Sequence, residues 1–202
     1  METTMHPART TADPVEPPEL LARNIRVGSR IWAASQAFFF LAFLFAFLYL
    51  RALNTAGLWR GWPPHHPDPS LAFGVAILIC VLAAAAVARL SVYRSAASWR
   101  AGTLAALVLM LAAVGLQCAQ FSSLGFGPTD AAYASVFVGW TGLFTLTLLG
   151  TVYWLATVVG DVSRVGETAL AVRAAAVDGV SFVLLVLAGV EIAAFILLYI
   201  VK

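Results

Sequence analysis

Hydrophobic positions in this chain gather into five long, predominantly apolar blocks: Ile31–Leu50, Leu71–Ala88, Ala101–Phe121, Ala131–Val159 and Gly179–Val201. A helix needs about 20 such residues to cross a bilayer, so each block predicts a membrane-spanning helix. The fold class that follows is all-α, a polytopic five-helix bundle with short connections. Polar residues concentrate at the start of the chain, where Thr3, Thr4, Thr10, Thr11, Asp13, Glu16 and Glu19 alternate with Pro7, Pro14, Pro17 and Pro18. Such a segment cannot bury enough apolar surface to fold alone. It also lacks the charged, apolar and small-residue order of a cleaved signal peptide. Residues 1–26 are therefore expected to form a disordered cytoplasmic tail, with the stretch from Pro17 able to begin a short amphipathic helix. Residues 27–202 form the membrane domain.

Charge placement orients the bundle. Arg9, Arg23, Arg26 and Arg30 precede the first block, Arg89, Arg94 and Arg100 flank the second connection, and Arg164 and Arg173 lie in the fourth. The opposite side receives Arg51, Arg60 and Lys202. Basic residues near span ends favour the cytoplasmic side, which predicts an N-terminus inside and a C-terminus outside. Composition agrees: 61% of residues are hydrophobic and 11% charged, which leaves no room for a sizeable soluble domain. A formal net charge of +2, scattered along the chain, argues against a nucleic-acid partner. Eleven of the twelve basic residues are Arg; with the abundant Ala, this composition fits a GC-rich bacterial genome and a bacterial cell membrane.

Candidate chemistry is sparse. Glu191 is the one charged side chain within the five blocks. Ionisable residues inside a membrane usually mark function, so their scarcity argues against a transporter and against an enzyme acting within the bilayer. No histidine falls within a span, which removes imidazole ligation of a haem by this chain. His65 and His66, in the loop Trp62-Pro63-Pro64-His65-His66-Pro67-Asp68-Pro69, could bind copper or zinc, but two polar residues in a proline-rich loop are the simpler account of them. Cys80 and Cys118 lie at different depths and without metal-ligand spacing, so they read as buried, unpaired thiols rather than a disulfide. No cofactor or metal site is expected in this chain.

Several motifs, in order, resemble subunit III of the haem-copper cytochrome oxidases. Trp62, Pro63 and Pro64 follow an aromatic-rich first span, as in that family. Ser35-Gln36-Ala37-Phe38-Phe39-Phe40 resembles its Ser-Glu-x-x-Phe-Phe, and Gly115 to Phe121 (GLQCAQF) resembles its Gln-Ala-x-Glu-Tyr segment. Asp130 to Gly150 resembles Tyr-Gly-Ser-x-Phe followed by Thr-Gly-Phe-His-Gly-Leu-His, and the chain closes on Tyr199-Ile200-Val201-Lys202. The resemblance runs from Val27 to Lys202, in register with a five-helix form of the subunit. The departures are systematic. Gln36 and Gln120 stand where the family has glutamates, Phe144 and Thr147 where it has histidines, and Leu185 and Ala188 where it has a His and an Asp.

The resemblance implies a non-catalytic subunit of an aa3-type cytochrome c oxidase. Such a subunit braces subunit I, contacts subunit II and possible further respiratory subunits, shapes a lipid-filled cleft and supports proton uptake and sustained oxygen reduction. Haem a and copper would lie in the partner subunits, and phospholipid would be bound here. Gln36, Gln117, Gln120 and Glu191 are the candidate polar sites toward lipid or a neighbouring subunit. Gln keeps hydrogen-bonding capacity but exchanges no proton at neutral pH, so proton buffering at the family's positions should be weak. Two further readings stay open: an accessory subunit of a nitric oxide reductase, and a small transporter or lipid-handling protein. Glu191 reads either as a functional acid paired with Gln36, Gln120 or a partner subunit, or as a structural group bonded to a neighbouring helix or lipid.

Packing expectations complete the picture. Gly115 with Ala119, and Gly189 with Ala193, place small residues one turn apart, which allows close helix approach. Thr141, Thr145, Thr147 and Thr151 are expected to bond back to the preceding turn. The Phe38–Phe47 run should form an aromatic face, and Trp59, Trp62, Trp99 and Tyr199 should act as interfacial anchors.

Overall fold

The structure, a computed structural model, describes residues 16–54, 59, 68–163 and 170–201. The helices are α1 (Pro18–Ala52), α2 (Leu71–Val92), α3 (Ala96–Ser123), α4 (Ala132–Ser163) and α5 (Leu170–Phe195). The last helix runs on into π-helical turns over Ile196–Val201. All five helices are long and apolar enough to cross a membrane, as the hydrophobic blocks predict, and no strand occurs among the described residues.

The first helix differs from expectation in length. It starts at Pro18, so residues 18–26, placed above in the tail, are helical, in keeping with the amphipathic helix expected to be able to begin from Pro17, and they run unbroken into the first span. The local chemistry explains this. Proline at the first helical position loses only an amide that would be unsatisfied anyway. Glu19 sits in the first turn, where negative charge is favoured. Glu16 and Asn24 bridge the start of the helix through a side-chain hydrogen bond of 2.9 Å. A helix of 35 residues rises about 52 Å, well beyond the roughly 30 Å of hydrocarbon, so its polar first turns extend past the apolar slab.

Helix α5 is the hub and touches each of the other four helices. Helices α1 and α2 flank it most closely, α3 packs on α2, and α4 bridges α3 and α1. In lipid, helices associate through tight packing and polar contacts rather than through escape from water, so small residues decide where they approach. The hub is rich in them: Ala175, Ala176, Gly179, Ser181, Ala188 and Ala194 are all buried. A β-carbon on Gly74 of α2 would lie 2.7 Å from the Tyr199 ring, and one on Gly179 would lie 3.1 Å from Ser29 of α1. The pairs picked out by spacing behave differently. Gly115 and Gly189 have open space where a side chain would sit, so they face outward and mediate no approach within this chain. Spacing identifies a small-residue stripe but not the side of the helix that meets a neighbour.

Aromatic side chains fill the core between α1 and α4. Phe40 stands against Trp140 and Phe144, each at 5.9 Å between ring centroids. The Phe38–Phe47 run therefore divides: Phe40 and Phe47 are buried, while Phe38, Phe39 and Phe45 face outward. Trp59 is no interfacial anchor. It is buried between Phe47 at 5.3 Å and Tyr133 at 5.9 Å, and its backbone amide is held 2.9 Å from the Asn54 side-chain oxygen. Edge-to-face pairs of this kind contribute about 0.5–1.5 kcal/mol beyond their burial, which outweighs placement of the ring at the membrane surface. Tyr199, also expected at the interface, is buried too. Both cysteines are free, but neither is buried: Cys80 is half-buried and Cys118 is exposed on the outer face of α3.

Candidate functional site

Polar side chains in the bundle interior group into separate sets. At the end where α1, α3 and α5 finish, Gln117 donates to the Gln120 side-chain oxygen at 2.9 Å, and Gln120 donates to the Tyr199 hydroxyl. The two glutamines are three residues apart on α3 and so share a helix face. Both are essentially inaccessible, which makes each hydrogen bond necessary, because an unpaired amide in such a place costs about 1–3 kcal/mol. The π-helical turns at the end of α5 contribute to this geometry. At about 100° per residue, an α-helix would rotate Tyr199 well off the face that carries Glu191, eight residues earlier. A wider turn rotates less per residue, which brings the two back toward one face, and Glu191 lies within electrostatic reach of Tyr199. The Tyr133 hydroxyl donates to the Leu198 carbonyl at 2.6 Å and ties α4 to the same turns.

A second set joins α1 to α4. The Thr147 hydroxyl lies 3.0 Å from the Gln36 side-chain oxygen and 3.0 Å from the Leu143 carbonyl. Thr141, Thr145 and Thr151 bond back to carbonyls four residues earlier, as expected of threonines within a spanning helix. At the opposite end of the bundle, Arg89 of α2 pairs with Asp178 of α5 at 2.8 Å, reaches Ser181 at 3.4 Å and lies over the Tyr93 ring at 5.1 Å. The pair is partly exposed, so it contributes about 1 kcal/mol or less and serves mainly to fix the register of α2 against the hub.

Glu191 joins none of these sets through a hydrogen bond. Gln36 is engaged with Thr147, Gln120 is engaged with Gln117 and Tyr199, and Glu191 has no hydrogen-bond partner among the described residues. The expected pairing of Glu191 with Gln36 or Gln120 is therefore not the arrangement observed. At 6% exposure its side chain is buried. Trp62, Pro63, Pro64, His65 and His66 lie outside the described residues. Among the described residues no three His, Cys, Asp or Glu side chains converge. The arrangement holds helices together through hydrogen bonds between neutral side chains.

The model of the family described as Cytochrome c oxidase subunit III matches residues 17–192, from the first turn of α1 to the middle of α5. The chain belongs to that family. Two relatives, both named Cytochrome c oxidase subunit 3, share about a quarter of their aligned residues with it. The protein of Pyricularia grisea is 25% identical over 140 residues, which is 66% of this chain and 52% of the relative. The protein of Neurospora crassa is 26% identical over 140 residues, 65% of this chain and 51% of the relative. The chain thus spans about half the length of these relatives.

As a subunit III family member, the chain shows how its departures from the resemblance are accommodated. Gln36 and Thr147, at positions where the motifs carry Glu and His, meet each other across α1 and α4 through a neutral hydrogen bond. Phe144 replaces a second histidine with a buried ring packed on Phe40. Ala188 is buried, whereas Leu185 faces outward. The sequence reading did not anticipate the Arg89–Asp178 pair or the partnership of Gln120 with Tyr199. Arg89 lies one residue past the second block and Asp178 one residue before the fifth, while Tyr199 has the placement of an interfacial anchor. The available signal was an acid and a base at the same end of two spans.

Proposed function

We propose that the chain is the non-catalytic subunit III of a respiratory cytochrome c oxidase in a bacterial plasma membrane. In this reading it braces subunit I, contacts subunit II and supports proton uptake and sustained oxygen reduction. Haem a and copper belong to the partner subunits, and bound phospholipid fills part of the chain's lipid-facing surface. The N-terminus faces the cytoplasm and the C-terminus the outside, with the Arg89–Arg100 end inward. The observation that carries the proposal is the family match, which extends across all five helices rather than a single motif. A supporting role is consistent with an interior whose glutamines and threonines are engaged in hydrogen bonds and whose one acid within the apolar blocks is Glu191.

The role is tested by removing this chain from the native complex and following oxygen consumption over many turnovers. The proposal expects an oxidase that starts normally and loses activity progressively faster than the intact complex. Initial rate and durability both unchanged by the removal would refute it.

A further inference from the structure

Between the adjoining ends of α2 and α3 lies a cavity of about 380 Å³, lined by Val87, Leu90, Arg94, Ser98, Ala101 and Gly102. This is within the size range of small-ligand pockets, roughly 300–1,000 Å³. Its lining is two-sided. Arg94 and Ser98 form a polar rim, and Val87, Leu90 and Ala101 continue along the helices as an apolar wall. A β-carbon on Gly102 would collide with Ser91, so the two helices touch at that level and close the floor of the cavity.

The rim is cationic and unneutralised. Arg89, five residues earlier, is paired with Asp178, whereas the Arg94 guanidinium has no ion-pair or hydrogen-bond partner among the described residues; its backbone amide donates to the Ser91 carbonyl at 3.2 Å. The same rim holds the start of α3, a helix of 28 residues whose N-cap Ser95 makes no side-chain cap hydrogen bond. First-turn amides left without a cap add positive potential beside the guanidinium. Tyr93, largely exposed, and Trp99, half-buried, flank the turn at the level where hydrocarbon meets headgroups.

We propose that this cavity binds one anionic phospholipid, its phosphodiester on Arg94 and the uncapped first-turn amides of α3 and its first acyl methylenes along Val87, Leu90 and Ala101, while the Ser98 hydroxyl stays bonded to the Ser95 carbonyl at 2.7 Å. Charge complementarity selects the headgroup, since basic pockets between spanning helices hold anionic lipid headgroups. The apolar wall selects a lipid over a free anion. The site is distinct from the glutamine and Glu191 positions, and it requires only that the chain spans a membrane, not that it joins an oxidase.

The test uses the full chain, purified from nanodiscs of either phosphatidylglycerol or phosphatidylcholine into mild detergent, with retained lipid counted by native mass spectrometry. The expected result is about one phosphatidylglycerol retained per chain, little phosphatidylcholine, and no displacement by added inorganic phosphate. Arg94→Gln should lower retention roughly five- to tenfold. Arg100→Gln, at an exposed position outside the cavity, should not. Leu90→Trp, which fills the cavity and keeps the charge, should also expel the lipid, and thermal melting of each variant separates loss of binding from loss of fold. Equal retention by Arg94→Gln, or equal retention of the two lipids, would overturn the proposal. Displacement by phosphate alone would replace it with a free-anion site.

Discussion

Tyr199 links the interior of the bundle to its last helix through a single hydroxyl. Gln120→Leu removes that link and strands the Gln117 amide, so the chain should lose about 1–3 kcal/mol of stability, read as a lower midpoint on unfolding in mixed micelles. Tyr199→Phe removes one hydrogen bond and keeps the ring packing, with a smaller loss of about 1 kcal/mol. An unchanged midpoint for Gln120→Leu would mean the pair contributes nothing. Glu191 carries the opposite expectation. A carboxyl that is buried and lacks a hydrogen-bond partner among the described residues costs stability, so Glu191→Leu should add about 1–3 kcal/mol of stability, read as a higher midpoint. A fall would reveal a partner; a rise together with slower oxidase turnover would show that the acid is kept for function at the expense of stability. The identity of these polar residues is evident in the sequence, because a glutamine or glutamate stands out in an apolar block. Their partners are not, because partnership depends on helix rotation, and a shift from α- to π-helical turns near Tyr199 leaves no compositional trace.

Close approach at the element scale is set by glycines that face a neighbour, not by those that merely share a stripe. Gly74 lies under the Tyr199 ring, so Gly74→Leu should force α2 away from α5 and cost about 1–3 kcal/mol. Gly189→Ala, with open space at its position, should stay within about 0.5 kcal/mol of the parent. Denaturation of the two variants in parallel checks both; equal destabilisation would contradict the assignment of faces. The number, type and centres of the helices are legible in the sequence because 20 apolar residues have one stable form in a bilayer. Their ends are less so. Residues 18–26 carry polar groups that suit a tail as well as a helix, and the choice is made by Pro18 and Glu19 at the first turn and by burial of Ala22 against the rest of the bundle.

The molecule as a whole reads as a scaffold whose two ends differ: an arginine-rich end with the Arg89–Asp178 pair and the Arg94 cavity, and an opposite end sealed by Trp59, Tyr133 and the Gln120–Tyr199 contact. The orientation proposed for it is checked by impermeant thiol labelling of intact cells, with Cys80 and Cys118 replaced by serine. Gly125→Cys, between α3 and α4, should be labelled, and Ser95→Cys, between α2 and α3, should be protected until the cells are opened. The reverse pattern would invert the topology. The central claim, that this chain is a component of a cytochrome c oxidase, is tested most directly by native purification through a C-terminal tag, with reduced-minus-oxidised haem spectra of the co-eluting complex. The account predicts haem a in near-stoichiometric ratio to the chain; b- and c-type haem without haem a, or an intact preparation with no haem, would contradict it.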